Sequence, residues 1–281
     1  MKAISLLIIM LLCISTNAQE FYNNSDLDGI DTVIVRLPVS VKFTQSDQAS
    51  LMIKGTEDLT KNLILKREKN VLTMAVKPGF YEYFKKDNDS KNNMAIEVLL
   101  PVFNKISISG SGNTFFNNLD TESSLKIKNS GSGDLFGQVI NANQIEITTE
   151  GSGNIKLSSL TAKTLEFTSK GSGDTTLSHI QVNQLELTTM GSGDFFILEP
   201  STANTVEVTS LGSGNVDIQP VQANNASIKL IGSGDIRLHA MKSLEVSAIG
   251  SGDIQYSGPA SLEASNIGSG EIKHTLSNSE I

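Results

Sequence analysis

Residues 150–177 read EGSGNIKLSSLTAKTLEFTSKGSGDTTL and contain the tripeptide Gly-Ser-Gly twice, twenty residues apart. The same tripeptide recurs along the chain, always 18 to 21 residues from the next copy. The nine copies begin at Gly110, Gly131, Gly151, Gly171, Gly191, Gly212, Gly232, Gly250 and Gly268. A period of about twenty residues predicts a solenoid, in which each repeat forms one coil that stacks on the next.

Apolar and polar residues alternate on both sides of each tripeptide. Ile145 and Ile147 precede the copy at Gly151, and Ile155 and Leu157 follow it. Alternation with a period of two around a glycine-rich turn predicts strand, turn and strand. The sequence therefore predicts an all-β protein folded as a parallel β-helix. Nine coils stacked ~4.8 Å apart would span on the order of 40 Å.

A side chain that can accept a hydrogen bond follows every tripeptide. These residues are Asn113, Asp134, Asn154, Asp174, Asp194, Asn215, Asp235, Asp253 and Glu271. Glycine is the residue that enters positive φ at little cost, and stacked corners leave little room for a Cβ atom. Asn and Asp tolerate left-handed geometry and bind the amides of a turn. We therefore interpret each tripeptide and the residue after it as a corner of the solenoid.

Two functional interpretations of the corners are less favoured. A phosphate-binding loop needs a helix whose N-terminus faces the phosphates, and a strand is predicted after each tripeptide. The calcium-binding repeats of secreted toxins have a nine-residue spacing, so a twenty-residue coil offers half a site. Asn at three of the nine positions also removes charge that calcium would need. We therefore assign no metal site and no cofactor.

The N-terminal eighteen residues, MKAISLLIIMLLCISTNA, have the features of a secretory signal peptide. Lys2 precedes an apolar run too short to span a membrane, and cleavage is expected after Ala18. A lipoprotein would be lipidated at Cys13, but Leu12 stands where a small residue is required. Cys13 is the only cysteine, so the mature chain, residues 19–281, would have no disulfide. No transmembrane segment is expected after cleavage.

The chain carries 22 basic and 30 acidic residues, and its formal net charge is −8. Without a basic cluster, this balance argues against nucleic acid as a partner.

Several stretches resemble the putative autotransporter adhesin family, also called the head GIN domain. The resemblance rests on the nine corners, on IEVLLPVFNKISISGSGN before the first corner and on the closing GSGDIQYSGPASLEASNIGSGEIKH. It covers residues 27–274 and implies a right-handed parallel β-helix in an exported protein of Bacteroidetes-type bacteria. Within this single domain, residues 27–105 would form less regular coils and residues 106–274 the nine marked coils. The family brings no catalytic residues and leaves the ligand open.

Some β-helices are polysaccharide lyases or hydrolases, which need clustered acids beside a base or two carboxylates at a defined separation. The repeats contain one arginine, Arg237, and the histidines His179, His239 and His274 lie at different distances from their corners. A column of glutamates is predicted to point outward: Glu146, Glu166, Glu186, Glu207, Glu245 and Glu263. No nucleophile and base are predicted to meet, so we assign no catalytic residue. A non-enzymatic binding or structural protein of the cell envelope is favoured, and a carbohydrate-active enzyme is the alternative.

An aromatic segment interrupts the polar character of the N-terminal part. Residues 77–93 read KPGFYEYFKKDNDSKNN and place Phe80, Tyr81, Tyr83 and Phe84 within five positions. One interpretation is a plug that covers the open end of the solenoid. The other is an exposed loop that contacts a glycan or an envelope protein.

The residue just before each corner defines a second candidate surface. Counting by twos from the outward glutamates, this position also points outward, and Glu150 and Lys170 can occupy it only if it is solvated. In the last five coils it is apolar: Met190, Leu211, Ile231, Ile249 and Ile267. Because continuous exposed apolar patches usually mark interfaces, the five residues predict a partner surface or a homo-oligomer contact. The alternative is that the chain bends before the corner and buries them.

Overall fold

The computed structural model describes residues 18–22, 27–81 and 94–275. In the N-terminal part the elements are β1 (Ala18–Tyr22), β2 (Thr32–Arg36), β3 (Val41–Gln45), β4 (Ser50–Gly55), the helical turn α1 (Glu57–Thr60), β5 (Leu63–Glu68), β6 (Val71–Val76) and β7 (Ala95–Leu100). The repeats form β8 (Lys105–Ile108), β9 (Thr114–Phe116), β10 (Leu119–Asn129), β11 (Leu135–Gly151), β12 (Ile155–Gly171), β13 (Thr175–Gly191), β14 (Phe195–Ile197), β15 (Ser201–Gly212), β16 (Val216–Gly232), β17 (Ile236–Gly250), β18 (Ile254–Ser257), β19 (Ser261–Gly268) and β20 (Ile272–His274). Among these elements no helix is long and apolar enough to cross a membrane.

Successive coils pair in parallel, so equivalent positions of the repeat form columns along the solenoid axis. Ile145 of β11 pairs with Leu165 of β12, and Leu165 pairs with Leu185 of β13. The side chains of these columns are buried, and those of the alternate columns face outward. The predicted all-β parallel solenoid with coils about 20 residues apart is confirmed.

Each coil must turn through a full circle, although only one of its turns carries Gly-Ser-Gly. In β12 the inward side chains Ile155 and Leu157 are two residues apart, but the next inward side chain, Leu160, follows three residues later. A second three-residue step separates Ala162 from Leu165. Pairing with β13 is interrupted within both steps. The coil therefore has three faces. In β12 the post-corner face is residues 155–157, the middle face 159–162 and the pre-corner face 164–171.

The first coils do not stack in chain order. On the pre-corner face, β2 pairs in parallel with β6 on one side and with β8 on the other. On the post-corner face, β3 lies in the same way between β7 and β9. The next strand outward on each face is antiparallel: β5 pairs with β6, and β4 pairs with β7. The N-terminal part, predicted as less regular coils, is thus a mixed parallel and antiparallel end of the solenoid.

A continuous apolar core runs along the axis through both parts. At its N-terminal end Phe43 stacks on Phe116 with ring centroids 5.4 Å apart. In the repeats Phe167 meets Phe195 edge to face at 5.2 Å. The C-terminal end differs, because all eight residues of β19 are exposed.

Candidate binding surfaces

The polar column at the corners is part of the framework. In each of eight consecutive pairs of coils, the side-chain oxygen Oδ1 of the corner residue accepts a hydrogen bond of 2.7 to 3.0 Å. The donor is the backbone N–H of the equivalent residue in the next coil. Asn and Asp both supply this oxygen, which explains why they alternate freely. Among the described residues no group of three or more His, Cys, Asp or Glu could hold a metal ion.

Both glycines of the corner are required, the first for two reasons and the second for one. In seven corners the first glycine has φ between +134° and +148°, in the region that side chains rarely adopt. The second glycine does not have positive φ. A Cβ atom on either glycine would overlap the backbone carbonyl oxygen of the coil before it, as at Gly191 against Gly171 and Gly193 against Gly173. Both reasons expected from the sequence therefore apply to the first glycine, and only stacking applies to the second.

The charged residues and histidines of the repeats are not brought together into a site. The glutamate column faces outward, and at its N-terminal end Glu146 forms an ion pair with Lys126 that raises the pKa of this lysine. The ring of His179 bonds the carbonyl oxygen of Pro200 at 2.7 Å. His239 bonds Ser257 at 2.9 Å, and His274 bonds a backbone carbonyl oxygen. Each histidine thus has a local structural partner.

The five apolar residues before the corners, which we call the apolar stripe, form one column on the pre-corner face. Register pairs join Met190 to Leu211, Leu211 to Ile231, Ile231 to Ile249 and Ile249 to Ile267. The exposed fractions of four side chains are 37% for Met190, 37% for Ile231, 46% for Ile249 and 65% for Ile267. The fifth, Leu211, is half-buried. The side chains therefore point outward, and a bend that buries them does not occur.

Of the four aromatic residues in the N-terminal segment, the structure describes Phe80 and Tyr81. Both are exposed, at 39% and 37%. Both residues follow β6, which continues the pre-corner face, the face whose strands lead into a corner in the repeats. These two rings therefore stand at the corner edge and do not fill the core, whereas Tyr83 and Phe84 lie outside the described residues.

The structure also contains a groove that the sequence analysis missed. It lies beside the post-corner face, encloses about 580 Å³ and is lined by Phe115, Phe116, Asn117, Phe136, Gly137, Gln138, Lys156, Leu157, Ser158, Thr176, Ser178 and Leu198. The rings of Phe115 and Phe136 stack with centroids 5.3 Å apart and planes inclined by 13°. Leu198, at the other end, is 58% exposed.

One sequence signal could have revealed this groove. The residue between the two inward positions after a corner must point outward, and it is Phe115, Phe136 and Phe196 in three coils. Large aromatic residues at these outward positions depart from the polar pattern expected of a solvated column, as the apolar stripe also does. Leu198, by contrast, gives no such signal, because it lies where the coil turns and its side-chain direction does not follow from alternation.

A family model described as "Putative auto-transporter adhesin, head GIN domain" matches residues 30–199 and 159–260. Together the two matches extend over residues 30–260, well over half of the chain. The chain belongs to the head GIN domain family. The resemblance seen in the corners and their flanking stretches is thereby confirmed. No curated protein matches the chain.

Three solved structures that share this fold come from Parabacteroides species. A putative adhesin from Parabacteroides distasonis is 17% identical, with a TM-score of 0.64 over 92% of this chain and 97% of that one. A putative lipid binding protein from the same species is 22% identical, with a TM-score of 0.65 over 92% and 96%. A putative adhesin from Parabacteroides merdae is 16% identical, with a TM-score of 0.66 over 92% and 96%. At such identities the likeness shows the fold alone.

Proposed function

We propose that this member of the head GIN domain family is an exported, non-enzymatic binding protein of the bacterial envelope that holds a glycan. The observation that carries the proposal is the groove between Phe136 and Leu198, with its volume of about 580 Å³. This volume lies within the usual range for small-ligand sites, roughly 300–1,000 Å³. The secretory features of residues 1–18 and the adhesin description of the family support the proposed location.

The chemistry of the groove matches a saccharide. Its floor offers the hydroxyl groups of Ser158, Thr176 and Ser178, and the amide of Gln138 lies beside them. The apolar ends, Phe136 and Leu198, stand about three coils apart, or roughly 14 Å at one strand spacing per coil. A short oligosaccharide presents hydroxyl groups and apolar C–H faces over a similar length. The apolar ends would contact the C–H faces while the floor binds the hydroxyl groups.

The groove is suited to binding rather than to hydrolysis. Its only charged lining residue is Lys156, so it lacks the pair of carboxylates that glycosidases use. Phe136 stacks on Phe115 of the preceding coil, and its register partner in the next coil is Lys156, which also lines the groove. An aromatic wall of this kind holds a sugar without any reacting group nearby.

The proposal is tested by screening the protein on an array of bacterial envelope glycans and measuring affinity for the strongest ligand by calorimetry. The double variant Phe136→Ser, Leu198→Ser should weaken binding at least about 100-fold, since each change removes an apolar wall of the site. The control Ile64→Ser changes an exposed residue of β5 outside the groove and should bind like the wild type. Absence of any glycan ligand, or equal binding by the double variant, would refute the proposal. Loss of export after deletion of residues 2–18, seen by cell fractionation, tests the location separately.

A further inference from the structure

We infer that the glycan held by this protein is an extended chain that runs along the solenoid axis and continues past Leu198 into a second groove. The second groove encloses about 670 Å³, and its lining includes Phe196, Leu198, Pro200, Asp217, Gln219 and Pro220. Leu198 also lines the groove described above, the first groove, so the two grooves meet at this side chain. The inference rests on the proposed function, because it extends the ligand of that site beyond the short oligosaccharide that fills the first groove.

Both grooves lie beside the post-corner face, and one outward column of side chains runs through them. Register pairing joins Phe136 to Lys156, Lys156 to Thr176, Thr176 to Phe196 and Phe196 to Asp217. At one strand spacing per coil, Phe136 and Phe196 are roughly 14 Å apart. A chain that lies along this column therefore passes from the first groove into the second without changing face.

The two grooves offer the same pair of contacts to a sugar. Counted from their corners, Phe136 and Phe196 occupy one outward position of the repeat, and Gln138 and Gln219 occupy the next outward position. Each groove thus combines a phenyl ring, which contacts an apolar C–H face, with an amide that donates and accepts hydrogen bonds. A polymer of similar sugar units repeats this chemistry along its length, so both grooves can hold successive parts of one chain.

The segment that separates the two grooves is fixed in place. The backbone N–H of Leu198 donates a hydrogen bond of 3.0 Å to the carbonyl oxygen of Leu177 in the preceding coil. The ring nitrogen Nδ1 of His179 donates to the carbonyl oxygen of Pro200 at 2.7 Å. Pro200 and Pro220 also have rigid rings that lose little conformational freedom on binding. A ligand that crosses Leu198 therefore meets a preorganised surface.

The carboxylate of the second groove is oriented to accept hydrogen bonds from hydroxyl groups. One oxygen of Asp217 accepts a hydrogen bond of 3.2 Å from the backbone N–H of Gln219, and the other lies 3.7 Å from a guanidinium nitrogen of Arg237. The two contacts fix the side chain and balance its charge, and lone pairs remain for a ligand. Among the described residues that line this groove, Asp217 is the only carboxylate, whereas glycosidases use two. The second groove, like the first, is therefore suited to holding a glycan without cleaving it.

The test compares fragments of increasing length, from the disaccharide to the hexasaccharide, cut from the array glycan that binds most strongly. In calorimetry the wild type should bind the hexasaccharide at least about 10-fold more tightly than the trisaccharide, because contacts in the second groove become intramolecular. Phe196→Ser should remove this gain and leave the affinity for the trisaccharide unchanged. The control Gln255→Ser, in the same outward column but outside both grooves, should change neither affinity.

Methyl NMR of the wild type keeps the inference testable if Phe196→Ser fails to fold. Leu157 lies in the floor of the first groove, and Ile197 lies in the floor of the second. The trisaccharide should shift the methyl resonances of Leu157, and the hexasaccharide should shift those of both residues. Equal affinity for the two lengths, or a hexasaccharide that leaves Ile197 unshifted, would overturn the inference while the proposed function stands. A protein that binds none of the array glycans would refute both.

Discussion

The carboxylate oxygen Oδ1 of Asp174 accepts a hydrogen bond of 2.9 Å from the backbone N–H of Asp194 in the next coil. The backbone N–H of Asp174 is in turn bound at 2.9 Å by the side-chain oxygen of Asn154. The corner residues thus form a ladder of hydrogen bonds in which each member accepts from one neighbour and donates to the other. The ladder needs an oxygen acceptor and does not need a negative charge.

Asp174→Ala should lower the free energy of unfolding by about 1 kcal/mol, because the N–H of Asp194 loses its acceptor. Asp174→Asn should be neutral or slightly stabilising, because it keeps the oxygen and removes repulsion between neighbouring carboxylates. Urea unfolding of the three proteins measures both effects. If the column bound calcium instead, Asp174→Asn would abolish a calcium-dependent rise in stability that the wild type shows.

Gly191→Ala and Gly193→Ala should each destabilise the protein by more than about 1 kcal/mol. Gly191 suffers from both its φ of +140° and the overlap with Gly171, whereas Gly193 suffers only from the overlap with Gly173. Ser192→Ala, on the exposed residue between them, is the matched control and should change little. Thermal melting of the three variants measures the loss of stability. The loss in Gly193→Ala reports the overlap alone, and any further loss in Gly191→Ala reports the positive φ. An unaffected Gly193→Ala protein would mean that the stacked coils can separate enough to admit a methyl group.

Changing Phe80, Tyr81, Tyr83 and Phe84 together to Ser should leave the melting temperature within about five degrees of the wild type, because exposed residues contribute little. The exposure of Phe80 and Tyr81 is the basis for this expectation. Loss of several kcal/mol, as in large-to-small core substitutions, would instead show that Tyr83 and Phe84 plug the end of the core. Screening the same variant for binding tests whether the segment is a partner surface.

The ion pair between Glu150 and Lys128 should make stability depend on pH. A hydrogen bond and the positive charge of Lys128 lower the pKa of Glu150, with smaller contributions from Lys170 and Ser130. A lowered folded-state pKa stabilises the protein above the ordinary glutamate pKa of 4.5, and this contribution is lost as pH falls through the folded-state value.

The melting temperature of the wild type should therefore exceed that of Glu150→Gln at about pH 7, and the difference should disappear as the pH falls through the lowered pKa of Glu150. Because the pair is solvated, the difference should be small and should shrink in high salt. Glu166→Gln, in the outward column on the same face, is the comparison. A difference that persists at the lowest pH would show that Glu150 acts through packing instead of charge.

Much of the repeat region could be predicted because neighbouring coils are equivalent. A residue at one position of the repeat lies beside the same position of the next coil, as Glu146 lies beside Glu166. Alternation then decides which columns are buried, and the exposed stripe from Met190 to Ile267 follows from the same count. The groove was harder to predict, because Phe136 and Leu198 are three coils apart and lie at different positions of their repeats.

The sequence alone determined the solenoid, its period, its glycine corners and the inward and outward columns, because these depend on contacts that repeat every twenty residues or so. Only the tertiary structure decided how the N-terminal strands are ordered and where each coil makes its two other bends. The coil of β2 and β3 lies between strands that come later in the chain, and no period marks such long-range pairing. The bends after Leu157 and Ala162 carry no glycine, so they are set by closure of the coil around its core.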